Sequence, residues 1–109
     1  KQKLTTPIPV KKALKKLGKD IREARIRRRI PVALMAERVG ISRVTLKSVE
    51  DGRPTVSMGI YATALYVLGM LDRLKDIADI AFDFVGQALS SEKLPKRIII
   101  KRNKICPKL

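Results

Sequence analysis

The stretch Val32–Gly52, VALMAERVGISRVTLKSVEDG, leaves few folds open because its punctuation fixes two short helices and the turn between them. In its first half Leu34, Met35, Ala36 and Val39 supply apolar contact, while Glu37 and Arg38 face water. That stripe ends at Gly40. Glycine suits the residue just past a helix, where φ is often positive and a Cβ is costly. Ser42 then offers a hydroxyl to the free backbone N–H groups of a second helix. In that helix Leu46 and Val49 point toward a core that Ile41 also enters. Val44, Lys47, Ser48 and Asp51 point the other way, Arg43 sits at the exposed N-terminal end, and Gly52 and Pro54 end the element. The outward face has no large apolar cluster to bury.

The charge of the chain is unevenly placed around this stretch. With 25 Lys+Arg against 10 Asp+Glu in 109 residues, the formal charge is +15. Residues 1–53 hold 16 basic and 5 acidic side chains, residues 54–90 hold 2 and 4, and residues 91–109 hold 7 and 1. Such asymmetry fits a polyanion-binding face backed by a different, protein-facing surface. A plain αα-hairpin inside a bundle, with the charge serving solubility, is the competing reading; it explains neither the placement of Gly40, Ser42 and Gly52 nor the coincidence of charge and motif.

Other functions find little in the composition. One small core fits this length, and a two-domain enzyme does not. There is no His and a single Cys, Cys106, so neither a disulfide framework nor a Cys/His zinc site forms within this chain. No nucleophile with an activating base, metal cluster or phosphate loop emerges, so neither an enzyme nor a cofactor is expected. Pro54–Leu71 carries no charge over 18 residues, yet its Ser, Thr, Gly and Tyr content and length fall short of a membrane span. The opening residues are polar and Pro-punctuated, unlike a secretory signal, and a reducing cytoplasm is the expected compartment.

Taken in order, residues 1–8 read as a basic arm, residues 9–85 as the helical domain and residues 86–109 as a basic C-terminal tail. Pro9 opens helix 1, whose stripe is Leu14, Leu17, Ile21 and Ala24 and whose other face bears Lys11, Lys12, Lys15, Lys19 and Arg22. Arg25, Arg27, Arg28 and Arg29 crowd its C-terminus, where part of their charge favours the helix dipole. Helix 4 is expected over about Ser57–Leu68, capped by Ser57 or Thr55. Its apolar residues nearly encircle it, which predicts cover from a second subunit through Tyr61, Leu65 and Leu68. A continuous helix 5 is expected from Asp72 to about Phe84, with Leu71, Leu74, Ile77, Ala78, Ala81 and Phe82 forming its stripe and Asp72, Asp76, Asp79 and Asp83 a solvated acidic face opposite. Lys96–Lys101, KRIIIK, reads equally as a short strand or as part of a structureless tail.

The quoted stretch resembles the helix-turn-helix of the lambda-repressor/Cro-like (Xre) family. The pattern stands here as Met35-Ala36, Val39-Gly40, Ile41-Ser42-Arg43, Thr45-Leu46, Val49-Glu50 and Gly52, and the similarity extends from about Leu17 to Leu71, about half the chain. Pro31-Val32 replaces the polar pair that commonly opens the second helix, and Val49 stands where an aromatic is frequent. The resemblance implies an all-α, five-helix domain, a bacterial, nucleoid-associated location and a homodimer on double-stranded operator DNA. Paired helices would sit about 34 Å apart. On that docking Arg43, Val44 and Ser48 are expected at base edges, with Thr45, Lys47 and Arg53 on phosphates. It also implies an internal ion pair between Arg25 and Glu50.

Within the family the chain looks most similar to HipB-type antitoxins, through LGKDIREARIRRRIPVALMAERVGISRVTL, PTVSMGIYATALYVLG and LPKRI. That implies an autoregulating repressor whose partner is a HipA-like kinase toxin. A stand-alone repressor and a basic RNA-binding protein are the alternatives, the latter short of aromatic residues for base stacking.

Overall fold

A computed structural model describes residues 5–89 of the protein, and those residues are all-helical. They fall into two compact units, one ending at Ile77 and the other beginning at Ala78. The strand considered at Lys96–Lys101, the LPKRI segment and Cys106 lie outside the described residues.

The first unit holds α1 (Ile8–Arg27), α2 (Val32–Val39), α3 (Arg43–Glu50), α4 (Met58–Val67) and the single turn α5 (Asp72–Lys75). Helix α1 starts behind Pro7, with Pro9 in its first turn, where a missing N–H is harmless. It buries Ile21 and Ala24, and Leu14 and Leu17 pack at the core edge. The chain leaves α1 through Arg29, and Ile30 N–H donates to the Arg25 carbonyl at 3.2 Å. Helix α2 ends at Gly40, whose φ of 85° is the left-handed conformation that the sequence pattern requires. The Ser42 side chain accepts from Thr45 N–H at 3.1 Å and starts α3, and Ser57 caps α4 in the same way at 3.2 Å.

The core is Ile21 and Ala24 from α1, Met35 and Ala36 from α2, Leu46 and Val49 from α3, and Tyr61, Ala64 and Leu68 from the α4 region. Helix α3 lies between α1 and α2, and α2 also packs on α4. One crossing is unusually close. A Cβ on Gly18 would stand 2.6 Å from both Gly52 N and Val49 O, and one on Gly52 would land on the Leu14 carbonyl. Glycine on both sides lets the α1 backbone touch the end of α3.

Two expectations are corrected. Tyr61 and Leu68 are 5% and 3% exposed, so they belong to the protomer's own core and are not a subunit interface. Leu65 is half-buried against the same core. The apolar girth of α4 is mostly absorbed by the common core, with α2 packed on it, and its outward row is Met58, Ala62 and Tyr66, with Met58 70% and Tyr66 67% exposed.

The expected helix 5 is also not continuous. It stops at Lys75, and the second unit contains a 3₁₀ turn, Ile80–Phe82, followed by α6 (Phe84–Leu89). The cause lies in the aspartates. The Asp79 carboxylate accepts from Ala81 N–H at 2.8 Å, and that of Asp83 accepts from Gly86 N–H at 2.9 Å. Short carboxylate side chains compete for backbone N–H groups and favour caps over helix interiors. Ile80, Phe82, Phe84, Val85 and Leu89 are left exposed. No helix among the described residues is long and apolar enough to cross a membrane.

Candidate functional site

Helix α3 is fastened along its inner side and open along its outer one. Leu46 and Val49 are fully buried. The helix end is tied to α1 by Arg25, whose Nε donates to Glu50 Oε2 at 2.7 Å and whose second nitrogen reaches Oε1 at 3.3 Å. The third guanidinium nitrogen donates to the Ile30 carbonyl at 2.9 Å, so Arg25 also fixes the corner leading into α2. Arg25 is only 7% exposed and each of its three guanidinium nitrogens donates a hydrogen bond, which makes it a structural cation. Arg28 likewise donates to the Ala24 carbonyl of its own helix.

On the outer side Arg43, Val44 and Lys47 are exposed, and Thr45 and Ser48 are half-buried. Val44 is 78% exposed, an aliphatic side chain held out in water beside charged neighbours. Thr45 Oγ1 accepts from the Ser42 hydroxyl at 3.0 Å, which leaves its own proton free to be donated outward. Lys47 stands 3.4 Å from Asp51, one turn on, in an exposed pair that contributes little to stability.

These side chains line a concave cleft of about 860 Å³. Arg43, Val44, Lys47, Ser48 and Arg53 are all on its wall, so five of the six residues expected to make external contacts share one surface; Thr45 does not line it. Arg22, Val32 and Thr55, none of them expected there from the sequence, also line it, together with Arg25, Leu46, Glu50 and Asp51. Spacing along α1 shows that Arg22 faces outward, but which neighbour it faces depends on the α1–α3 crossing at Gly18, a residue no local pattern marks.

Arg53 is held from behind. The buried Tyr61 hydroxyl donates to the Arg53 carbonyl at 2.7 Å and pins the loop between α3 and α4. Burial pushes the Tyr61 hydroxyl above its ordinary pKa, so it stays a donor. A second notch of about 410 Å³ opens beside this loop, lined by Lys11, Lys15, Asp51, Gly52, Arg53 and Pro54.

No protein-family pattern, curated protein or solved structure matches the chain.

Proposed function

We propose that the protein is a sequence-specific DNA-binding repressor of the lambda-repressor/Cro-like type, acting as a homodimer. The observation that carries this reading is the mounting of α3. Its inner side chains are buried and its end is clamped by Arg25–Glu50, so its outer row projects from a rigid element into a basic concave cleft. The asymmetric charge supports the same reading, because Lys and Arg on phosphates supply sequence-independent attraction that weakens steeply with salt.

Helix α3 then acts as the reader in the major groove. Arg43 makes a bidentate contact to guanine O6/N7, Val44 packs on a thymine methyl and Ser48 bonds a base edge. Thr45 donates its free hydroxyl proton to a phosphate, while Lys47 and Arg53 hold neighbouring phosphates and set the register. Lys47 exchanges its weak contact with Asp51 for a phosphate as it docks. The two-fold partner is assigned to the outward row Met58, Ala62 and Tyr66, whose Met58 and Tyr66 side chains are exposed; reading a palindromic operator requires paired α3 helices about one DNA turn apart.

The narrower reading, an antitoxin neutralising a HipA-like kinase toxin, rests on the sequence resemblance. Its docking surface is assigned to the second unit, where Ile80, Phe82, Phe84 and Val85 are exposed. The test is native mass measurement of the protein co-expressed with its neighbouring gene, with and without duplex from upstream of its own gene. A dimer that takes up the duplex while carrying a kinase-fold partner supports both readings. A dimer with duplex alone retires the toxin, and no uptake of duplex rejects the repressor.

A further inference from the structure

The reading of the cleft proposed above leaves a set of cations on α1 without a task. At about 100° per residue, Lys11, Lys15 and Arg22 fall within about 40° of one another on α1, on a line next to Gly18, where α1 touches the end of α3. The structure places all three beside α3. Lys11 and Lys15 line the notch at its C-terminal end with Arg53, and Arg22 lines the main cleft with Arg43 and Lys47. All are exposed, and none takes part in an ion pair among the described residues. The only acidic wall residue of the notch, Asp51, is shared with Lys47.

We infer that Lys11, Lys15 and Arg22 form a rail on α1 that follows the phosphates of one strand of the duplex whose bases α3 reads. This rests on the DNA-binding reading above and adds a second element to the interface. The row spans about 16 Å along the helix, the reach of several consecutive phosphates. Like charges held in line repel one another, and a strand of phosphates relieves that repulsion. The close Gly18–Gly52 contact and the Tyr61 bond to the Arg53 carbonyl fix the rail relative to α3, so the phosphate path is set before DNA arrives. Attraction of the α3 C-terminal carbonyls for Lys11 and Lys15 would act in the same place, but it does not involve Arg22 at the other end.

The test uses the full chain and the duplex that it enriches from a random pool. Affinity is measured against salt for the wild type, for the triple variant Lys11→Gln, Lys15→Gln, Arg22→Gln, and for a control, Lys12→Gln with Lys16→Gln, which lie about 60–140° around α1 from the row and line neither the cleft nor the notch. The rail predicts that the slope of log affinity against log salt falls by roughly two to three units in the triple variant, with the enriched sequence unchanged. The control slope changes by less than one unit. If the triple variant is less stable, Lys11→Gln alone decides, with a fall of about one unit. An unchanged slope in the rail variants, or an equal fall in the control, overturns the rail and leaves the repressor reading standing. A wild type that enriches no sequence overturns both.

Discussion

At the scale of single residues, the side chain that most determines the shape of the site is Arg25. Buried with Glu50 as its counter-charge and the Ile30 carbonyl as its second partner, it joins α1, the α2 corner and the end of α3. Glu50→Ala leaves that guanidinium buried without an anion, and chemical denaturation should show a loss of about 3–5 kcal/mol. A loss below 1 kcal/mol would mean that the pair is incidental. Tyr61 gives a test by pH. Its folded-state pKa is raised above the ordinary value near 10, so its contribution to stability is present below that pH and lost as pH rises through the folded value. Unfolding followed from pH 8 to 11 should show alkaline destabilisation in the wild type and a flatter profile in Tyr61→Phe. Parallel profiles would contradict this role. The pairing of Arg25 with Glu50 came from family resemblance, since nothing in a linear sequence marks which of four clustered arginines turns inward.

At the scale of elements, what could be read in advance was what depends on near neighbours. Gly40 and Ser42 bound α2 and α3 because left-handed φ and a capping hydroxyl act within one turn. The break after Lys75 went unread although its cause is also local. The periodicity of Leu74, Ile77 and Ala81 argued for a helix, and the carboxylates of Asp79 and Asp83 overrode it by capping shorter turns. Gly18 was missed for a different reason: its importance lies in a partner backbone more than thirty residues away, and a small residue on a helix carries no sign of what crosses it. Gly18→Ala should therefore cost about 1–3 kcal/mol by pushing α1 off α3, despite the better helix propensity of alanine. A stabilised variant would show that the crossing has slack.

At the scale of the whole molecule, the uncharged segment after Pro54 was expected to need a second subunit, and the protomer instead covers most of it. Whether a helix that is apolar all round meets its own core or another chain is decided by how many neighbours the fold supplies, and a hydropathy pattern does not count neighbours. The two possibilities separate by substitution. Leu68→Asp should unfold the protomer, because Leu68 is in the core. Tyr66→Asp should leave the helical circular-dichroism signal and the melting temperature close to wild type while shifting the native mass from dimer to monomer. A folded dimer in the second variant would move the proposed two-fold interface away from α4. The central claim is that α3 reads bases in duplex DNA, and the most direct measurement is selection from a random duplex pool with the wild type and with Arg43→Ala in parallel. A base-reading α3 enriches a palindromic sequence in the wild type and, in Arg43→Ala, loses guanine preference at one position of each half-site, worth about 1–3 kcal/mol. No enrichment by the wild type, or an equal drop in affinity for every sequence in the variant, would contradict it.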